Sequence, residues 1–444
     1  MAITRGIGFT IILVLAFSYI HFEVEGHRGL ATPTNGNVSF DVTQFGAKGN
    51  GKPHNDANGE SLNGLAIMKA WQKACHCSQG PSKVVIPEGI YMVAQVIFAG
   101  PCKYEVIVEL QGTMVADKDV SQFPNHEFVV FQDVDAATFT GPGTIDVSNQ
   151  ASKYNTLDQN KDVDFFNLMA SIKILKSKNV LVERITSVNP SAYHVLIVES
   201  ENVKVQNMKL NEKSMKNKKS KTNNGIYIGA SNNISVSSSI INTGGDCVTV
   251  APGSLHISIS ALTCQSGQGI SIGSKAYIDT SLDVKGVIVK DCSFKETTFG
   301  VRIIPRLEAK TSLISDIKFE GLKMEQVQVP IVINQLQPLL NPLETIQAKI
   351  VGVEYKNIQG TTTGKNPLSF SCNSETPCEG IEVVNVDLSF IDKLPLNANH
   401  GINLNSLIGP TLIPGDALKL LVKCLNANVL FRGENNGLGC NLLQ

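Results

Sequence analysis

The pattern Asn179-Val-Leu-Val-Glu-Arg-Ile185 returns along the chain, first as Asn202-Val-Lys-Val-Gln-Asn-Met208 and then as Asn233-Ile-Ser-Val-Ser-Ser-Ser239. Each copy alternates apolar and polar residues, which is the period of a strand with one buried face. A second short apolar run follows most copies. Further copies are 256–260, 286–290, 316–320, 352–356 and 380–384, and second runs include 193–198, 225–228, 248–250, 269–272, 301–304 and 331–333.

Two or three short strands per repeat, with no long helix between them, predict a solenoid in which each turn stacks on the previous one. One turn cannot bury its apolar face alone, whereas stacked turns bury a continuous core. A β-sandwich or a propeller is the alternative fold, and a sandwich would show turn signals every 8–12 residues or so. The unequal repeat lengths favour a coil from which loops of different size emerge.

The segment 61–75 has a helical period instead. Leu62, Leu65, Met68, Trp71 and Cys75 fall on one predicted helical face. A solenoid needs a cover over its open end, and this amphipathic helix is suited to that role. Because no linker rich in proline and glycine interrupts the chain, we predict a single all-β domain, a parallel β-helix with an N-terminal capping helix.

The N-terminus carries Arg5, an apolar run over 7–20, and small and polar residues near Glu25 and Gly26. This order is typical of a signal peptide, which we place at 1–26, and leaves 27–444 as the mature, secreted domain. A membrane anchor is the alternative. The apolar run is short for a span of about 20 residues, so we expect no membrane association.

The composition is that of a globular protein, with 42% hydrophobic and 17% charged residues and a net charge of −1. No overall field attracts a polyanion, so we expect no nucleic-acid partner. Ten cysteines in a secreted chain predict disulfides, although several could instead be buried thiols. No spacing fits a zinc site, and we expect no metal or cofactor. Plausible pairs are Cys247 with Cys264, Cys372 with Cys378 and Cys424 with Cys440, and sequons begin at Asn37 and Asn233.

Several motifs resemble those of plant polygalacturonases, glycoside hydrolase family 28, and occur in the family's order from about residue 40 to 440. They are Phe45-Gly-Ala-Lys-Gly-Asn-Gly-Lys52, Gly141-Pro-Gly-Thr-Ile-Asp146, Gly244-Gly-Asp-Cys247, Gly267-Gln-Gly-Ile-Ser-Ile-Gly-Ser274 and Arg302-Ile-Ile304. The resemblance implies a right-handed parallel β-helix, secreted to the plant cell wall. It also implies hydrolysis of α-1,4-linked galacturonic acid in pectin with inversion.

Inverting hydrolysis needs one carboxylic acid to protonate the leaving oxygen and one carboxylate to activate water. The family's N-T-D motif aligns with 222–224, which places Asn224 at the position of the aspartate. The first aspartate of its G-D-D-C motif, which resembles the general acid, is Gly245, whereas the second is retained as Asp246. The aligned acid is therefore absent, and an amide replaces one carboxylate.

The residues that support catalysis in the family are also altered. The histidine of G-H-G is Gln268, and the lysine of R-I-K is Ile304, whereas its arginine is retained as Arg302. We predict an intact scaffold with a disabled centre that binds pectin through Arg302, Gln268 and Asn224. The alternative is that neither residue has a functional role, so that Asp246 only hydrogen-bonds loop amides and Arg302 is a surface residue.

Two enzymatic alternatives stay open, an active polygalacturonase and a relative that uses other residues on a different pectic sugar. Glu199, Glu201 or Asp279 could be recruited for this chemistry. A lyase would need clustered carboxylates for Ca²⁺, and the sequence shows none.

Five lysines lie within 213–221, in an otherwise neutral chain and directly before the altered N-T-D motif. Pectin is a polyanion, so we expect Lys218, Lys219 and Lys221 to help bind it by screened attraction. A flexible, solvated loop is the alternative, since charge runs usually have that meaning. We expect the protein to be a monomer.

Overall fold

The structure is a computed structural model, and it describes most of the chain. The described residues are 38–57, 59–123, 127–151, 170–212, 223–274, 283–305, 312–336, 348–391 and 420–440. The predicted signal peptide, the lysine-rich segment and Asp279 lie outside these residues, as does Asn37.

The described strands are parallel and wind as a right-handed coil whose three sides form three ladders around one core. The first ladder has eleven strands, and the candidate site lies on it. Numbered along the chain, its strands are β4 Val96–Ala99, β7 Glu127–Gln132, β10 Ala170–Leu175, β13 Tyr193–Val198, β16 Asn224–Gly229, β19 Val248–Val250, β22 Ile270–Ile272, β25 Phe299–Ile303, β28 Val329–Asn334, β30 Leu368–Ser371 and β32 Val422–Leu425.

The second ladder contains the repeated pattern that predicted the fold, so the predicted β-helix is confirmed. Its strands are β1 Val38–Asp41, β2 Ser82–Ile86, β5 Val106–Leu110, β8 Asp135–Thr140, β11 Lys178–Glu183, β14 Glu201–Gln206, β17 Asn232–Ser237, β20 Leu255–Ser260, β23 Val284–Lys290, β26 Leu313–Glu320, β29 Lys349–Thr362, β31 Cys378–Phe390 and β33 Ala427–Arg432.

The third ladder has the shortest strands, and β29 joins it to the second ladder by pairing with a strand of each. Its strands are β3 Ile90–Val93, β6 Thr113–Ala116, β9 Thr144–Asp146, β12 Thr186–Val188, β15 Lys209–Asn211, β18 Ile240–Asn242, β21 Thr263–Gln265, β24 Ser293–Lys295 and β27 Lys323–Val327.

The asparagine that opens the early repeats has a structural reason. Asn179, Asn202 and Asn233 take positive φ angles of 51°, 55° and 55°, a conformation that asparagine tolerates better than most residues. Their side chains also bond from turn to turn. The amide nitrogen of Asn202 donates to Asn179 at 3.1 Å, and that of Asn233 donates to Asn202 at 2.7 Å. The corner between the first and second ladders is therefore fixed in register.

The core is a stack of aliphatic residues in register. Val182, Val205, Val236 and Ile259 lie on successive strands of the second ladder, and each is fully buried. Residues between them point to solvent, which explains the alternation in the sequence.

A capping helix is present, but its predicted face was partly wrong. Helix α1, Leu62–Gln72, begins at Ser61, whose hydroxyl accepts a hydrogen bond from the Gly64 N–H at 3.3 Å. Ala66, Ile67, Ala70 and Trp71 are buried, whereas Leu62, Leu65 and Met68 are only half-buried. The contact stripe is rotated because the small alanines let the helix lie close against the first turns. Minor elements are a π-helical turn Lys73–Cys77, the 3₁₀ turns Val42–Phe45 and Val120–Gln122, and α2 Ser148–Ala151.

Four disulfides are present in the described chain. The three predicted pairs all form, with Cα–Cα distances of 5.5 to 5.8 Å, and a fourth joins Cys75 to Cys102. Cys292 is a buried thiol, and burial raises its pKa to about 11. Cys77 is an exposed thiol. Among the helices of the described ranges, none has the length and apolar character needed to cross a bilayer.

Candidate active site

The candidate site lies on the outer side of the first ladder, where four neighbouring turns bring the altered motifs together. Thr249, Ser271 and Arg302 occupy matching outward positions on β19, β22 and β25. Asp246 and Gln268 lie in the turns that lead into β19 and β22. Parallel stacking therefore assembles residues that are far apart in the sequence.

Asp246 and Arg302 form an ion pair, with Arg302 Nη2 at 2.6 Å from Asp246 Oδ1. The same nitrogen donates to Gln268 Oε1 at 2.9 Å, and Arg302 Nε donates to Ser271 Oγ at 2.6 Å. The hydroxyl of Thr249 donates to Asp246 Oδ2 at 2.9 Å. The two charged side chains are only 6% and 13% exposed, so the pair is largely shielded from solvent.

This network limits what Asp246 can do chemically. Both of its carboxylate oxygens already accept a hydrogen bond, one from Arg302 and one from Thr249. A carboxylate has about four lone-pair sites, so Asp246 can accept further hydrogen bonds, but the charge-assisted bond from Arg302 fixes its orientation. In this arrangement Asp246 binds the side chains of Arg302 and Thr249 rather than only loop amides, and Arg302 is largely buried rather than a surface residue.

Gly245 lies in a turn that is too tight for a larger residue. A Cβ atom at this position would lie 2.4 Å from Asn224 Oδ1 and 2.6 Å from the Asn223 carbonyl oxygen. Asn224 Oδ1 accepts the Asp246 N–H at 3.0 Å, and the Asn223 carbonyl accepts the Gly245 N–H at 2.7 Å. The turn therefore lies close against Asn223 and Asn224 and leaves no room for a side chain at position 245.

Gln268 and Phe299 complete the surroundings of Arg302. The Gln268 N–H donates to the Gly245 carbonyl at 2.8 Å, while its side chain binds the guanidinium. The ring of Phe299 lies beneath the guanidinium, with Cζ of Arg302 at 4.7 Å from its centroid. Ile304, at the position of the family's lysine, is half-buried just after β25.

One carboxylate near the site was missed in the sequence. Glu212 follows β15 and accepts the Gly244 N–H at 3.0 Å and the Asn223 side-chain amide at 3.2 Å. Burial raises the pKa of Glu212, and these two hydrogen bonds oppose the rise. Glu212 lies one turn of the coil before Gly244, just after a strand of the third ladder, and it belongs to none of the sequence motifs.

Two of the three carboxylates named as substitutes form ion pairs with lysines. Glu201 lies on β14 of the second ladder and pairs with Lys178 at 3.3 Å, and Glu199 pairs with Lys176 at 3.7 Å. Asp279, Lys218, Lys219 and Lys221 lie outside the described residues.

Most outward side chains of the first ladder are buried. Val130, Lys173 and Leu196 point outward on β7, β10 and β13, yet they are 1%, 1% and 0% exposed. Lys173 forms an ion pair there with Glu127. The same row continues through Tyr227, Thr249 and Ser271, which are 2%, 2% and 0% exposed. Half-buried residues of this side are Asn224, Gln268, Phe299 and Arg302.

Comparison with known proteins places these observations in a family. The sequence model of glycosyl hydrolases family 28 matches residues 75–399. An exopolygalacturonase of Arabidopsis thaliana is 32% identical over 96% of this chain and 94% of its own length. An exopolygalacturonase of Zea mays is 30% identical over 88% of this chain and 93% of its own length.

Solved structures show the same fold at low identity. The endo-xylogalacturonan hydrolase of Aspergillus tubingensis superposes with a TM-score of 0.69 at 17% identity, covering 91% of this chain and 99% of the hydrolase. An exopolygalacturonase of Thermotoga maritima gives 0.64 at 16% identity, covering 81% and 88%. With a matched fold, a matched family model and relatives of similar length, this chain belongs to glycoside hydrolase family 28.

Proposed function

We propose that this chain is a secreted, polygalacturonase-like protein of the plant cell wall that binds polygalacturonate in the ancestral cleft with little or no hydrolysis. The observation that carries the proposal is the arrangement at 245 and 246. Gly245 supplies no acid, and Asp246 is engaged by Arg302 and Thr249. One engaged carboxylate does not serve both faces of a sugar ring.

Retained binding is supported by the cation and its half-exposed neighbours. Arg302 presents a planar guanidinium, a group well matched to the carboxylate of galacturonate. Gln268 and Asn224 add amide groups that hydrogen-bond sugar hydroxyls. Lys218, Lys219 and Lys221 add positive charge to the segment that precedes Asn224 in the sequence.

The names of two relatives support recognition of a chain end. Two relatives are named exopolygalacturonases, a name that fits the same mode. The ligand is accordingly a terminal segment of polygalacturonate.

The main test measures reducing ends released from polygalacturonic acid by the purified chain, beside binding of oligogalacturonates to the same sample. We expect binding without appreciable turnover, and we expect Arg302→Gln to weaken binding. Turnover near that of an ordinary family member would refute the proposal, as would the absence of binding.

A second candidate function rests on Glu212. It is a partly buried carboxylate with a raised pKa beside the turn of Gly244 and Gly245, and those properties suit a general acid. In this reading the chain is a slow polygalacturonase. The two readings separate with Glu212→Gln, which abolishes any measured hydrolysis if Glu212 is the acid and leaves it unchanged if it is not.

We also propose that the protein is secreted and monomeric. The N-terminal pattern predicts a signal peptide, and four disulfides suit an oxidising compartment. N-terminal sequencing of the protein from plant cell walls and gel filtration test the two points.

A further inference from the structure

A second cleft lies on a different wall of the coil, where the second and third ladders meet. Its volume is about 730 Å³, within the range of sites that hold a small ligand. Lys83 on β2, Glu109 on β5 and Thr140 on β8 line one side, and Arg184 and Lys209 line the other. The candidate active site lies on the first ladder, so the two clefts are separate.

The carboxylates of this cleft are already satisfied within the protein. Glu109 accepts hydrogen bonds from Lys83 at 2.7 Å and Gln111 at 2.8 Å, and these bonds lower its pKa. Glu183 accepts bonds from Gln206 at 2.8 Å and Thr140 at 3.0 Å, which lower its pKa in the same way. Both acids are therefore ionised and held in place, and they fix the polar wall of the cleft.

Two of the three cations of the cleft are also paired within the protein, Lys83 with Glu109 at 2.7 Å and Arg184 with Glu183 at 3.4 Å. Arg184 also donates to Thr140 Oγ1 through Nη2 at 2.9 Å, yet its side chain is 61% exposed. Lys209 is exposed, and within the described parts of the chain it makes no ion pair. With Lys83, the lining carries three cations against Glu109 and Glu183, so it retains one positive charge.

We infer that this cleft binds a short acidic oligosaccharide, with a uronate carboxylate at Lys209 and Arg184. Threonine and asparagine side chains of the lining can hydrogen-bond sugar hydroxyls. The two glutamates keep lone pairs that accept further hydrogen bonds from those hydroxyls. The size of the cleft suits a segment of a few sugars rather than a single ion. The site is independent of Asp246, so it stands or falls apart from the proposed function.

The experiment titrates the full-length secreted protein with trigalacturonate and counts sites by calorimetry. We expect two sites, one removed by Arg302→Gln and the other by the double variant Arg184→Gln/Lys209→Gln. Losing hydrogen bonds to charged groups predicts a fall of at least about tenfold in affinity at the second site. Lys290→Gln/Lys318→Gln is the matched control, because it removes the same charge from exposed positions on β23 and β26.

The methyl ester of trigalacturonate tests the role of the carboxylate, since it keeps the size and hydroxyls of the ligand. We expect the second site not to bind the methyl ester. The inference is overturned if the double variant binds like the control or if the ester binds equally well. It is also overturned if no site other than that of Arg302 is found. Loss at Arg302 alone therefore bears on the proposed function, and loss at Arg184 and Lys209 bears on this inference.

Discussion

At the scale of single residues, His194 makes the stability of the protein depend on pH. It is fully buried, with Nδ1 at 2.8 Å from Ser187 Oγ, and burial lowers its pKa to about 3 from an ordinary value of 6.5. Below pH 6.5 the unfolded chain binds a proton that the folded chain does not. Stability is therefore lost as the pH falls from 6.5 towards 3, by about 1.4 kcal/mol per unit.

We expect His194 to account for a loss of about 2 kcal/mol in the free energy of unfolding between pH 7 and pH 5. Urea unfolding at the two values measures the loss. His194→Gln should remove this part of the pH dependence, while His256→Gln, at an exposed position, should not. Equal pH dependence in the wild type and in His194→Gln would contradict the assignment.

Gly245 gives the second prediction at this scale. Because a Cβ atom would meet Asn224 and Asn223 at 2.4 and 2.6 Å, even Gly245→Ala should destabilise the protein, by about 1–3 kcal/mol. Gly245→Asp should do the same and, alone, should restore no activity. Denaturant unfolding of both variants provides the check, and wild-type stability in either would show that the turn opens easily.

Reconstruction of the whole centre then becomes informative. The variant Asn224→Asp/Gly245→Asp/Gln268→His/Ile304→Lys restores the family's residues together. A sharp rise in hydrolysis would identify a disabled hydrolase whose turn still opens, whereas continued inactivity would identify a cleft remodelled for binding.

At the scale of elements, the inward and outward side chains of a strand differ in how much they contribute to the free energy of unfolding. Ile259 on β20 is fully buried in the stacked core, whereas Ile288 on the neighbouring β23 points outward and is 44% exposed. We expect Ile259→Ala to cost about 2–5 kcal/mol and Ile288→Ala less than about 1 kcal/mol. Denaturant unfolding of this matched pair measures the difference, and similar costs would contradict the inward and outward assignment.

Exposed ion pairs between neighbouring turns matter less for stability. Lys178 lies 3.3 Å from Glu201, and Lys349 lies 3.5 Å from Glu379, but all four side chains are at least 42% exposed. Pairs of this kind contribute about 0–1 kcal/mol each. Their value is in register, because parallel stacking would otherwise place like charges on adjacent strands.

At the scale of the whole molecule, the proposed recognition of chain ends predicts how affinity depends on ligand length. If only chain ends enter, affinity per chain end should be the same for trigalacturonate and for long polygalacturonate. Competition binding with ligands of graded length measures this. Affinity that rises in proportion to the number of sugars would indicate internal binding and would contradict end recognition.

Much of the fold was predictable because its signals are local. Alternation in strands such as β11 and β14 reports a buried face, and three of the four disulfides join cysteines close in sequence. The buried face of α1 was less predictable. A hydrophobicity pattern favours the large leucines as the buried residues, whereas the face that packs against the coil uses small alanines. Cys75 and Cys102 were not paired from sequence, because their contact depends on how the helix lies against the coil.

By itself, the sequence determined that the chain coils, that it belongs among polygalacturonase-like proteins, and that a glycine occupies position 245. Only the tertiary structure decided that Asp246 is paired with Arg302 and that Glu212 accepts the Gly244 N–H. The reason is physical: the alternation of apolar and polar residues lies within one turn of the coil, whereas each of these contacts joins different turns. Their distances depend on stacking register and on how tightly the connecting turns close.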